Sequence, residues 1–157
     1  MGVFLVSLIY FVMARSSLLL ALPGSDASPV WPPSGFALAS LLILGRHVWP
    51  GITIGAFAAN LLAISTSSPE AAPGYAIGVS LLTAFGNTIE AVTAFYLINS
   101  FSNSASFLFK VRYVVVFTVS AILASLIAAV IGPVTFCAAG LAPWSIFPGF
   151  FVTWWLG

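Results

Sequence analysis

Charge is nearly missing from this chain. Its 157 residues include four Lys or Arg and three Asp or Glu, so 4% of the chain is charged against 61% hydrophobic. A soluble domain is roughly 25% charged, and one of this length leaves more surface exposed than so few charges can cover. The chain is therefore expected to be solvated by lipid. The same scarcity excludes other classes. A net charge of +1 provides no basic field to attract nucleic acid. Cys137 stands alone, so no internal disulfide can form, and its apolar surroundings suit a small buried hydrophobe. The apolar N-terminus has no basic stretch ahead of it and no small-x-small cleavage signal. It reads as a retained helix, not a signal peptide.

A span needs roughly 20 apolar residues to cross a hydrocarbon core ~30 Å thick. The pattern predicts an all-α polytopic transmembrane bundle with about five full spans, an incomplete sixth, and a Pro-rich non-helical segment after the first. The first span runs from about Val3 to Leu22 and ends at Pro23-Gly24, a strong breaker pair. After the Pro-rich stretch comes a second, short span from about Pro33 to Leu44. It completes a crossing only if Val30 to Gly35 dips into the protein as non-helical backbone, permitted where neighbouring helices bury it or it lines a wet cavity. Further spans are expected over about Trp49–Ile64, Gly74–Ile98 and Tyr113–Ile131, the last stopped by Gly132-Pro133. A sixth segment starts near Trp144 and reaches Gly157 after roughly 14 residues, or ~21 Å, too short to cross.

Arg46 with His47, and Lys110 with Arg112, fall in the second and fourth connections, whereas Asp26 and Glu70 fall in the first and third. By the positive-inside rule the basic connections, and with them the N-terminus, face the cytoplasm. Trp31, Trp49 and Trp144 near span ends fit an interfacial aromatic belt. Gly51, Gly55 and Ala59 share one helix face, and Gly74 with Gly78 repeats the spacing. Small residues of this kind let helix backbones approach in lipid.

A charge at membrane depth costs about 2.5–3.5 kcal/mol or more, so each needs a reason. Arg15 lies about two-thirds along the first span, and Glu90 lies in the fourth with Asn87 one turn before it on the same face. Three readings stand: a buried ion pair that sets helix register, a polar pocket for a ligand or coupling ion, or Arg15 snorkelling alone to the interface. Asn60 either joins this cluster or bonds a neighbouring carbonyl. Asp26 is either a solvated loop acid or faces a ligand from the outer side. The candidate ligand-binding or coupling set is thus Arg15, Asp26, Trp31, Pro32, Pro33, Ser34, Asn60, Asn87 and Glu90. No catalytic residue is expected: there is no H-E-x-x-H, no G-x-S-x-G and no phosphate loop, and no base stands beside a serine. His47, the one histidine, has no nearby Cys or carboxylate with which to hold a metal, so no metal and no cofactor is expected.

Several strings occur in an order that resembles one family. They are Ala27-Ser28-Pro29-Val30-Trp31-Pro32-Pro33-Ser34-Gly35, Leu44-Gly45-Arg46, Trp49-Pro50-Gly51, Gly55-Ala56-Phe57 with Asn60-Leu61, Gly86-Asn87-Thr88-Ile89-Glu90-Ala91, and Thr153-Trp154-Trp155-Leu156-Gly157. Together they are similar to the membrane-associated sensor family of the first type, an input domain of bacterial signalling proteins. The resemblance implies an integral membrane domain of about eight helices placed before a histidine kinase, a diguanylate cyclase or a cyclic-di-GMP phosphodiesterase. It implies that residues 1–157 form one sensor-type domain, C-terminally truncated, in the bacterial inner membrane. Its expected partners are the lipid bilayer, an unknown small-molecule ligand or membrane protein, and a second copy through the parent protein. Two other classes stand beside this one. Broken helices and polar groups at depth also suit a small transporter or substrate-binding membrane subunit, although no pair of half-sized repeats occurs. In a pure anchor every polar group would be structural.

Overall fold

A computed structural model describes residues 1–20, 28–70, 72–101 and 111–157. Its helices in chain order are α1 (Gly2–Leu18), α2 (Pro32–Leu44), a 3-10 turn (Arg46–Val48), α3 (Trp49–Ser67), α4 (Pro73–Phe101), α5 (Val111–Ala138), a second 3-10 turn (Trp144–Ile146) and α6 (Phe147–Leu156). Three are long and apolar enough to cross a membrane: α3 together with its leading turn, α4 and α5. The expectation of about five full spans is met more coarsely, because α1 has 17 residues and α2 only 13. At 1.5 Å per residue, α2 covers about 20 Å.

The boundaries depart from expectation where polar or breaking residues are accommodated inside a helix. α4 runs past Ile98 because Asn99 and Ser100 return their side chains to the carbonyls of Phe95 and Tyr96, at 3.0 and 2.8 Å. α3 runs past Ile64, with Thr66 bonded to the Leu62 carbonyl at 2.9 Å. The Gly132-Pro133 stop is overturned: α5 continues through it to Ala138. A proline in a membrane helix forfeits one backbone bond, and packing of neighbouring helices offsets the loss. Both residues are buried, and the Trp154 ring sits where a Gly132 side chain would be. The true terminator is Gly140. Its φ of 71° lets Leu141 N–H reach the Phe136 carbonyl at 3.0 Å and Gly140 N–H the Cys137 carbonyl at 3.1 Å. This pair of bonds is the Schellman motif, which needs a residue tolerant of positive φ.

α1 and α3 lie side by side and run the same way. Gly51 abuts the Val3 carbonyl and Gly55 the Ser7 carbonyl, where an added Cβ would come within 2.5 and 2.6 Å. The small-residue stripe at Gly51, Gly55 and Ala59 thus makes the tightest backbone approach between these helices. The second stripe does not do the same: Gly74 and Gly78 face open space. Val6, Tyr10 and Ala14 of α1 pack with Ile52, Ala56 and Ala59 of α3 into one core, which Leu41 of α2 and Ala84 of α4 complete. α4 meets α5 where Gly86 receives Ile131. α6 folds back along α5, with Phe136, Phe150 and Trp154 edge to face at centroid distances of 5.8 to 6.0 Å. Cys137 is buried beside this aromatic cluster as a small hydrophobe.

Candidate functional site

The backbone from Ser28 to Trp31 is non-helical; its two ends, Ser28 and Trp31, face residues from the middles of α3, α4 and α5, while Pro29 and Val30 are exposed. Local chemistry explains the shape. The Ser28 hydroxyl accepts the Val30 N–H at 3.4 Å and donates to the Val30 carbonyl at 2.9 Å, which closes a small turn. Trp31 caps α2 with φ −122° and ψ 70°, and Pro32 and Pro33 fill its first positions, where a missing N–H does no harm. Trp31 N–H donates to the Gly157 carbonyl at 3.1 Å, and Ser34 N–H to the Trp31 carbonyl at 3.2 Å. The start of α2 therefore offers no free backbone donor in its first turn, so it is not built as an anion-binding helix end.

These elements enclose a cavity of about 40 Å³, with room for a few water molecules. Ser28, Ser34, Asn60, Asn87 and Glu90 form its polar wall, and Leu18, Trp31, Ala128 and Trp154 its apolar one. Asn60 and Asn87 are buried, at 8% and 7% exposure. The Tyr10 hydroxyl is fully buried, with Trp31, Asn87 and Glu90 as its polar neighbours. The Glu90 carboxyl has Ser34 beside it and no cation among the described residues. Polar side chains lining a cavity at this depth have few competing partners, so a guest that satisfies them recovers the desolvation of those groups. A more open concavity of about 300 Å³ adjoins it and shares Ser34, Glu90, Trp154 and Gly157 with it.

Five of the sequence-derived residues meet at this cavity: Trp31, Ser34, Asn60, Asn87 and Glu90. Pro33 is buried and Pro32 exposed, and both serve the start of α2 without lining the cavity. Arg15 is half-buried in the last turn of α1, where a cation complements the helix dipole. It does not line the cavity and forms no ion pair with Glu90. Asp26, like Lys110, lies outside the described residues. Trp31 is half-buried against the cavity, while Trp49 and Trp144 are exposed at 45% and 57%. Tyr10, Ser28 and Trp154 were not singled out from the sequence. Tyr10 had a faint signal, a hydroxyl in mid-span one turn before Ala14 on the buried face of α1. Trp154 belongs to a helix whose partner face only the fold reveals.

No three His, Cys, Asp or Glu side chains converge among the described residues. The cavity presents hydrogen-bonding and aromatic groups. No curated protein and no solved structure matches the chain. One family model does, MASE1, over residues 1–157. An apolar helical bundle with a polar cavity beside the start of α2 agrees with that match. The chain belongs to the MASE1 family, integral membrane sensory domains of sensor kinases and diguanylate cyclases.

Proposed function

We propose that this membrane sensory domain takes a ligand or membrane partner at the Trp31–Glu90 cavity and thereby biases a cytoplasmic output module. The single observation that carries the reading is the set of polar side chains Ser34, Asn60, Asn87 and Glu90 around one cavity inside an otherwise apolar bundle, with Trp31 and Trp154 in its apolar wall. A guest there acts as a signal only if it binds two arrangements of the bundle with different affinity. Trp31 caps α2, Glu90 lies on α4 and Trp154 on α6, so a guest that bears on these side chains would couple to how the three helices pack.

The proposed setting is the bacterial inner membrane with the N-terminus in the cytoplasm. Arg46, His47 and Arg112 support this, because all three fall at the end of the bundle that holds the N-terminus of α1. Gly2 packs against Val48, where an added Cβ would meet the valine at 3.6 Å, and Arg46 reaches Tyr96 near the end of α4. A transport role also fits non-helical backbone beside a polar cavity at depth. The two readings differ in what they require of the rest of the protein.

The test uses the full-length parent protein with Trp31→Ala and Glu90→Gln, reading autophosphorylation or cyclic-di-GMP according to its output module. Coupling between sites is typically worth roughly 5–150-fold. The expected result is a several-fold change in resting output and loss of the response to stimulus in both variants. Unchanged output in both would sink the cavity as the input site. Substrate uptake into vesicles bearing the chain would favour transport.

A further inference from the structure

A separate concavity, of about 520 Å³, lies on another face of α4 from the cavity, between α4 and the end of α2 with the turn that follows it. At one end stand Arg46, His47, Trp49 and Tyr96, and its walls beyond them are Leu41, Phe85, Ile89, Val92 and Phe95. The polar end is shaped by Gly45, whose φ of 91° turns the chain out of α2 and folds the His47 ring back over the glycine. Arg46 is exposed and makes one long hydrogen bond, 3.5 Å to the Tyr96 hydroxyl. Most of its five N–H donors stay free for a further acceptor. Trp49 and Tyr96 are 45% and 49% exposed, the pairing of aromatic rings with a cation that marks the headgroup level.

From Tyr96 to Phe85 the groove follows α4 through eleven residues, which is about 16 Å. Half of a ~30 Å hydrocarbon core is about 15 Å, so the groove is one leaflet deep. Its floor is closed by the hydrogen bond between Thr53 and Thr88 hydroxyls at 2.9 Å, which leaves no unpaired polar group facing a hydrocarbon chain. A cation at the headgroup level, a hydroxyl beside it and an apolar trough of leaflet depth together match one kind of molecule.

We infer that this groove is a binding site for an anionic phospholipid, with Arg46 and His47 on the headgroup phosphate and one acyl chain along Ile89 and Val92. The site is independent of the Trp31–Glu90 cavity, and its occupancy bears on how α3 and α4 are held. The charge complementarity is local: each basic residue at a membrane surface favours anionic lipid by about fivefold.

The test is native mass spectrometry of the purified chain equilibrated with phosphatidylglycerol and phosphatidylcholine of the same acyl chains, with helicity checked by circular dichroism. Phosphatidylglycerol is expected to stay bound in preference to phosphatidylcholine, and Arg46→Gln to reduce that preference about fivefold. Ile89→Trp, which fills the trough at an exposed position without altering charge, is expected to reduce retention of both lipids. Arg112→Gln, which removes a charge away from the groove, is expected to leave the preference intact. Equal retention of the two lipids in the unaltered chain would overturn the site. So would an equal loss for Arg112→Gln and Arg46→Gln, which indicates a general attraction of the basic end. Inorganic phosphate displacing the lipid completely would reassign the groove to a free anion.

Discussion

At the residue scale, two glycine pairs with the same spacing have opposite environments. Gly51 and Gly55 touch the backbone of α1, and Gly74 and Gly78 touch nothing. The i, i+4 spacing is identical, so no property of the motif alone separates them. Replacing Gly51 or Gly55 by Val drives atoms into the Val3 or Ser7 carbonyl and must push α1 away from α3. The expected loss is about 1–3 kcal/mol, the usual cost of overpacking. Gly74→Ala and Gly78→Ala, by contrast, remove a flexible residue from α4 without a clash and are expected to be neutral or to stabilise by up to about 1 kcal/mol. Thermal unfolding in one detergent checks both. Equal behaviour of the two pairs would contradict the packing described. Residue identity was a good guide to burial at Asn60, Asn87 and Glu90, because a polar group at membrane depth has few places to go. It was a poor guide for Arg15, whose long side chain lets the same residue serve a core pair, a cavity or a helix end.

At the element scale, α3 and α4 are held by small-residue packing and by one hydroxyl pair. The Thr53 and Thr88 hydroxyls are hydrogen-bonded at 2.9 Å, one donating to the other, and each also has a carbonyl acceptor on its own helix, Trp49 at 3.4 Å and Ala84 at 2.8 Å. Removing the interhelical bond therefore strands neither partner completely. Thr88→Val is expected to cost about 0.6 kcal/mol, the average for such bonds in membrane bundles. Thr53→Val should cost the same and the double variant hardly more than either single. A double-mutant cycle on unfolding free energies measures this, and full additivity would show that the two hydroxyls do not interact. α5 carries the lesson about element ends. Gly132-Pro133 has the composition of a stop, but the Trp154 ring packs on that surface and the helix continues to Gly140. A stop signal read along the chain competes with packing that comes from a helix not yet reached.

For the whole molecule, the two concavities divide the polar chemistry of a nearly uncharged chain. One lies within the bundle, with Glu90 as its carboxylate, and the other opens to lipid at the end that carries Arg46 and His47. The proposed orientation puts the second at the cytoplasmic face, which predicts the outcome of single-cysteine labelling in a Cys137→Ala background. A cysteine at Arg46 should react with a membrane-impermeant maleimide only after the cells are opened. A cysteine at Glu70, beyond α3 at the other end, should react in intact cells. The reverse pattern would invert the bundle and move the basic end outside. Cys137→Ala itself is expected to cost about 1 kcal/mol, since it removes one buried sulfur from the aromatic cluster and a single long hydrogen bond, 4.0 Å to the Pro143 carbonyl.

The sequence by itself determined the solvent and the element type. So few charges cannot clothe a water-facing surface, and in lipid an isolated segment satisfies its backbone only as a helix. It also determined which side chains must find shelter, because the energetic cost of a polar group in hydrocarbon does not depend on the fold. Tertiary structure alone decided where that shelter is. Trp31 meets the cavity because the two ends of the Ser28–Trp31 segment face α3, α4 and α5 before α2 begins, and Tyr10 and Trp154 join it from helices distant in sequence. It also decided which glycines mattered and which proline did not stop a helix. Those outcomes depend on what stands across the interface, and a one-dimensional pattern carries no record of the opposing surface.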